Sequence, residues 1–178
     1  MRIIAGRLGG RTFDSPHSSR THPMSDKIRG ALFNILGDIE DLTVLDAFAG
    51  SGAIGLEALS RGARSATLID NDRDAQQIIV QNIKTLDVAS QAQLVTASAA
   101  AWAQTNPAAH FDIVVCDPPY DDLQRTLLEQ LTTCLNPDGT FVLSWPGAEL
   151  LPEFSGLKKV AHRTYGDAQL AFFQRSAV

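Results

Sequence analysis

From Thr43 onward the chain alternates short apolar runs with amphipathic stretches. T-V-L-D-A-F (43–48), S-A-T-L-I-D (65–70), A-Q-L-V-T-A (92–97), F-D-I-V-V-C-D (111–117) and T-F-V-L-S-W (140–145) read as buried strands. Between them lie helical patterns over 53–62, 74–86, 99–104 and 123–135. Gly62 is placed to stop the first, and Asn71 or Asp72 to cap the second. N-P-D-G (136–139) reads as a turn. Strands followed by helices with short links define a doubly wound, mostly parallel α/β sheet. The last two strands, 158–166 and 168–174, have no helix between them, so they form an antiparallel hairpin at the end of a seven-stranded sheet. Ahead of this unit, R-I-I-A-G-R-L-G-G-R-T-F (2–13) suggests a small hairpin with glycine turns. S-P-H-S-S-R-T-H-P comes next as loop. Ser25 caps a helix through residue 36 whose apolar side is Ile28, Leu32, Phe33, Ile35 and Leu36. This gives an extension over 1–37 and a main domain over 38–178.

The 178 residues suffice for one core, and no apolar run of about 18 residues spans a membrane. No secretory h-region opens the chain, and the two cysteines and four histidines lack metal-ligand spacing, so a reduced, cytoplasmic, metal-free monomer is expected. The net charge of −5 argues against a polyanionic partner until it is divided. Residues 1–37 carry six basic side chains (Arg2, Arg7, Arg11, Arg20, Lys27, Arg29) against Asp14 and Asp26, a local +4. The remainder carries nine against eighteen, or −9. A basic arm on an acidic body suits a nucleic acid.

Ligands of doubly wound sheets bind beyond the carboxyl ends of the strands. After the first strand comes D-A-F-A-G-S-G-A-I-G, with Gly50, Gly52 and Gly55 in G-x-G-x-x-G spacing. Asp70 ends the next strand, where a carboxylate accepts both hydroxyls of a ribose. Together they point to a nucleoside-containing cofactor without separating NAD from S-adenosylmethionine. Asp46 favours the second: an acid beside the glycines repels a pyrophosphate and suits an amino-acid ammonium; its alternative role is to cap the loop through backbone N–H groups. The fourth strand ends in D-P-P-Y. Pro118 and Pro119 fix the backbone and lack N–H groups. The Asp117 carboxylate and Pro118 carbonyl thus form paired acceptors beside the face of Tyr120. That set matches a planar group bearing an exocyclic NH₂.

D-A-F-A-G-S-G-A-I-G-L-E-A-L-S-R-G, L-I-D-N-D and V-V-C-D-P-P-Y resemble Rossmann-type amino-methyltransferases. M-R-I-I-A-G-R-L-G-G-R and H-P-M-S-D-K-I-R-G-A-L-F-N-I-L narrow the resemblance to the bacterial 16S ribosomal RNA guanine-N2 methyltransferases, the RsmD group. The resemblance implies that Asp46, Phe48, Ala49, Gly50, Ser51, Gly52, Asp70, Asn71 and Ser98 hold S-adenosylmethionine. It implies that Asp117, Pro118, Pro119 and Tyr120 are catalytic, and that Arg7, Arg11, His22, Lys27 and Arg29 meet RNA. The expected reaction is methylation of one guanine N2 of 16S RNA, guanine 966, on an assembling small subunit. His22, Met24, Gly30 and Ser98 depart from the pattern; at Ser98 relatives carry an acid or amide that holds the adenine amine, so weaker cofactor binding is expected. Two other readings stand beside this one: a DNA adenine-N6 methyltransferase, and a cofactor-binding assembly factor without chemistry.

Overall fold

The two apolar faces of each central strand decide the architecture. Val44 points to one side of the sheet and Leu45 to the other; Ile113 and Val115 share the first side, Val114 and Cys116 the second. A strand apolar on both faces must be covered on both. In the computed structural model, which describes residues 1–16 and 23–175, it is. Strands β1 (Thr43–Asp46), β2 (Ser65–Asp70), β3 (Ala92–Thr96), β4 (Phe111–Cys116), β5 (Leu135–Pro146), β6 (Leu157–Tyr165) and β7 (Ala168–Arg175) form one sheet. Their order is β3-β2-β1-β4-β5-β7-β6. The first five pair in parallel, and β7 runs antiparallel to β5 and β6. The sheet order reverses between β1 and β4.

One face is covered by α1 (Asp26–Leu36), α2 (Ala53–Ser60) and α3 (Arg73–Leu86), the other by α4 (Ala99–Thr105) and α5 (Arg125–Thr132). Ser25 caps α1 as expected, and Asp72 rather than Asn71 caps α3, accepting from Ala75 N–H at 2.9 Å. N-P-D-G is not a free turn. It lies within β5 as an excursion: Leu135 pairs with Phe111, and pairing resumes only at Thr140 with Ile113.

The basic leading segment is part of the core rather than an arm laid over it. Ile3, Leu8 and Phe13 are buried in the same cluster as Leu32, Phe33 and Leu59. Residues 2–13 make one antiparallel bridge, Arg2 to Thr12, rather than a full hairpin. The segment is anchored by Glu57 of α2, which is fully buried. Its carboxylate accepts from Ile4 N–H (2.8 Å), Ala5 N–H (3.1 Å) and Arg61 Nε (2.7 Å), and lies 3.8 Å from Arg29 Nε. A buried carboxylate is tolerated only when so satisfied. Gly6, at φ +82°, lets the backbone pass Ser60, whose carbonyl oxygen would lie 1.9 Å from any Cβ.

Candidate active site

The site is built where the order reverses, from the residues just past the ends of β1, β2 and β4. Asp46 closes β1 and is wholly buried. One oxygen accepts from Gly55 N–H at 3.2 Å; Oδ1 has no partner among the described residues. Burial, then the neighbouring charges of Asp117 and Asp70, push its carboxyl up to about 7 against the Gly55 N–H and, more weakly, the Phe48 N–H. A buried acceptor with nothing to accept is costly, and in a ligand crevice it marks where a donor belongs. An ammonium supplies donor and charge together.

The turn after β1 is held from three sides. Ala49 N–H reaches Ile69 O (2.9 Å), Gly52 N–H reaches Ala49 O (2.7 Å), and Gly50 N–H donates to Asp70 Oδ2 (2.8 Å). Gly50 and Gly52 have φ of +56° and +81°, and a Cβ on Gly50 would meet open space. Ligand atoms can therefore lie against the main chain there. Asp70 Oδ1 accepts from Asp72 N–H at 2.8 Å, so both oxygens are engaged by backbone and each keeps a lone pair for a hydroxyl. Burial raises its carboxyl as well, against those donations. Ala49 and Ser51 are buried, Phe48 half-buried, and Asn71 exposed on the rim. Ser51 is also tied from behind. The buried Asn82 donates to Ser51 O and Asp14 O, both at 2.9 Å, and accepts from Asp14 N–H at 2.8 Å. Ser98 caps α4, its hydroxyl accepting from Ala101 N–H at 3.1 Å. That leaves the hydroxyl proton and one lone pair for a ligand.

Across the reversal, β4 delivers D-P-P-Y. Asp117 follows Cys116, which pairs with Leu143 of β5. Burial raises the Asp117 carboxyl, opposed by the hydroxyl of Ser144. The Pro119 carbonyl takes the turn's own bond from Asp122 N–H (3.0 Å), leaving the Pro118 carbonyl outside it. Tyr120 is 41% exposed, unusual for an aromatic next to a core strand, while its hydroxyl is fixed 3.2 Å from Ser144 Oγ. An exposed face with an anchored end is a stacking platform. Ser144 was not foreseen: one serine in an apolar strand carries no signal until the register sets it beside Asp117.

The basic residues divide. Arg7 and Lys27 are exposed, and Arg7 bonds Gln91. Arg11 is exposed too but donates to the Thr85 and Leu86 carbonyls at the end of α3. Arg29 corrects the expectation of a phosphate contact: it is fully buried, bonded to Asp26 Oδ1 (2.9 Å) and Arg2 O (2.7 Å). Its place three and four residues before Leu32 and Phe33 on the buried stripe was the available signal. His22 lies outside the described residues. Among the described residues no cluster of metal-binding side chains occurs, and no helix is long and apolar enough to cross a membrane.

This sheet order, with a glycine turn and buried acid after β1, a second acid after β2 and D-P-P-Y after β4, defines the Rossmann-like class of S-adenosylmethionine-dependent methyltransferases. The chain belongs to the family described as Conserved hypothetical protein 95, the RsmD family, whose model matches residues 1–174. It is 42% identical over 140 residues to Ribosomal RNA small subunit methyltransferase D of Escherichia coli, covering 78% of this chain and 68% of that protein. It is 33% identical to YlbH of Bacillus subtilis over 98% of this chain and 99% of the relative. The solved structure of yhhF from Escherichia coli superposes with a TM-score of 0.87 at 32% identity, over 100% of this chain and 99% of the other.

Proposed function

We propose that this protein transfers a methyl group from S-adenosylmethionine to the N2 amine of one guanine in 16S ribosomal RNA, guanine 966 by resemblance, on an assembling small subunit. Membership of a ribosomal RNA methyltransferase family supports the substrate class. The observation that carries the chemistry is the pairing, on adjacent strands, of an ammonium-seeking acid (Asp46) with an amine-accepting corner (Asp117 and Pro118).

The chain's own groups account for the rest. Asp46 meets the cofactor's ammonium, Asp70 its ribose, and the Gly50–Gly52 backbone lies against it. Bound S-adenosylmethionine supplies an activated methyl group: the nitrogen lone pair bonds to carbon, the sulfur–carbon pair stays on sulfur, and the amine sheds a proton. That lone pair is delocalised into the base. Asp117 and the Pro118 carbonyl accept the two amine hydrogens and orient the nitrogen, while Tyr120 holds the ring by stacking. Catalysis is then positioning plus stabilisation of the positive charge growing on nitrogen. Asp117 lies where that proton is released. The target base must be unpaired or flipped to reach this corner. Exposed Lys27 meets RNA phosphate, whereas Arg7 and Arg11 are held beside Gln91 and the end of α3, at the amino ends of the strands, and meet RNA only away from this corner.

The test is methyl-labelled cofactor incubated separately with unmodified small subunits, deproteinised 16S RNA and duplex DNA, with Asp117→Ala as control. Label recovered as N2-methylguanosine from either RNA sample, and lost in the variant, supports the proposal. N6-methyladenine in DNA replaces it with the DNA reading. Cofactor binding without transfer to any substrate replaces it with the assembly-factor reading.

A further inference from the structure

We propose that Ser144 is a positioning residue of this site, fixing Tyr120 through its hydroxyl and orienting Asp117 across the boundary between β4 and β5. The inference rests on the reading of Asp117 and Tyr120 given above. Cys116 pairs with Leu143 in a parallel ladder, and continuing that register by one residue brings Asp117 next to Ser144. Ser144 is 4% exposed, in a strand whose other inward positions, Phe141, Val142, Leu143 and Trp145, are all apolar. A hydroxyl there must find a partner. It lies 3.2 Å from the Tyr120 hydroxyl, and it favours the charged form of Asp117. A serine has one proton and two lone pairs. The arrangement that uses them is Tyr120 O–H donating to Ser144 Oγ, whose own proton points to Asp117. One serine thereby sets both the plane on which the base stacks and the acceptor that takes its amine hydrogen. On its other side Ser144 pairs with the apolar Leu170 of β7.

The charged and titratable groups around the pair are Asp46 on β1, which feels the Asp117 charge, Cys116 on β4, whose thiol is raised by burial and by that charge, and Asp167 in the β6–β7 turn, which acts on Tyr120. Burial raises the Asp117 carboxyl and Ser144 opposes the rise, so deleting the hydroxyl moves its titration to higher pH. The charged form is the acceptor, so the acid limb of kcat moves the same way.

The experiment compares Ser144→Ala, Ser144→Thr, Tyr120→Phe and the double variant Ser144→Ala/Tyr120→Phe. kcat is measured against pH at saturating cofactor, and S-adenosylhomocysteine affinity by calorimetry. The expected result for Ser144→Ala is a fall in kcat of roughly 10- to 100-fold with unchanged cofactor affinity. Its acid limb shifts upward, Ser144→Thr recovers most of the loss, and the double variant does little worse than Ser144→Ala. Carbon-13 NMR of carboxyl-labelled aspartate, with Asp117 assigned from its loss in Asp117→Asn, reads the titration shift without any substrate. An unmoved Asp117 titration in Ser144→Ala overturns the inference even if the protein transfers no methyl. An active wild type with unchanged kcat and acid limb in Ser144→Ala overturns it while leaving the proposed function standing.

Discussion

The buried Asp46 sets a pH dependence of cofactor binding that can be worked through. Its carboxyl in the ligand-free protein titrates at about 7, chiefly because burial penalises the charge. An ammonium binds the charged form. The apparent Kd is then the intrinsic value divided by the ionised fraction. That fraction is about one half at pH 7 and about one tenth at pH 6. Affinity therefore weakens about fivefold between those pH values and about tenfold per unit below. The measurement is calorimetric titration with S-adenosylhomocysteine from pH 5.5 to 7.5, where an α-ammonium keeps its proton. Methylthioadenosine, which lacks the amino-acid moiety, serves as comparison and has no such slope. Asp46→Asn binds S-adenosylhomocysteine weakly with a flat profile. The same carboxyl affects stability with a defined sign. Its folded value lies above the unfolded one of 3.8, so its contribution is present at low pH and lost as pH rises through about 7. Three units correspond to about 4 kcal/mol at most. Ligand-free Asp46→Asn therefore gains stability relative to wild type between pH 5 and pH 8. A wild-type Kd flat from pH 5.5 to 7.5, or a slope retained in Asp46→Asn, refutes the assignment of the ammonium to this acid.

Four further substitutions probe other parts of the molecule. Arg29→Met leaves the Arg2 carbonyl and Asp26 Oδ1 without their donor, while Glu57 keeps Arg61 and two N–H donors, and costs about 1–3 kcal/mol in urea denaturation, whereas exposed Lys27→Ala leaves the melt unchanged, weakens RNA binding and lowers its salt slope by about one. Asn82→Ala removes the donor to Ser51 O, and calorimetry with S-adenosylhomocysteine loses about 1–3 kcal/mol of affinity or of global stability. Gly55→Ala places a methyl 2.2 Å from Leu68 Cδ2 under the cofactor turn; overpacking of this kind costs about 1–3 kcal/mol and shows as a lowered Tm.

The sheet was legible because strands covered on both faces are apolar without interruption, and helices between them keep a 3.6-residue stripe. Asp46, Asp70 and Asp117 were legible because strand ends on such a sheet are where ligands bind. The features that escaped needed three-dimensional register. N-P-D-G has the composition of a turn, yet β5 carries it as an excursion beside Phe111. Charge alone places Arg29 in the basic arm, although α1 turns it inward beside Glu57. Ser144 becomes meaningful only when Cys116 pairs with Leu143. Glu57 sits in a helix buried along its whole length, and no sequence pattern says that its carboxylate serves the backbone of residues more than fifty positions away.

The pairing of β1 with β4 has a consequence for how the molecule matures. Val44 meets Ile113 and Asp46 meets Val115, partners separated by 69 positions along the chain. Asp46 and Asp117 therefore become neighbours only after the third and fourth strands exist and the fourth has docked at the centre. A nascent chain that has made the glycine turn alone holds half a crevice, with Asp46 open to water and titrating as an ordinary carboxyl. Ligand capture and completion of the fold are then one event. Added S-adenosylhomocysteine should slow proteolysis across the whole domain rather than around the glycine turn alone, because every opening that admits a protease at the sheet centre also dissolves the site.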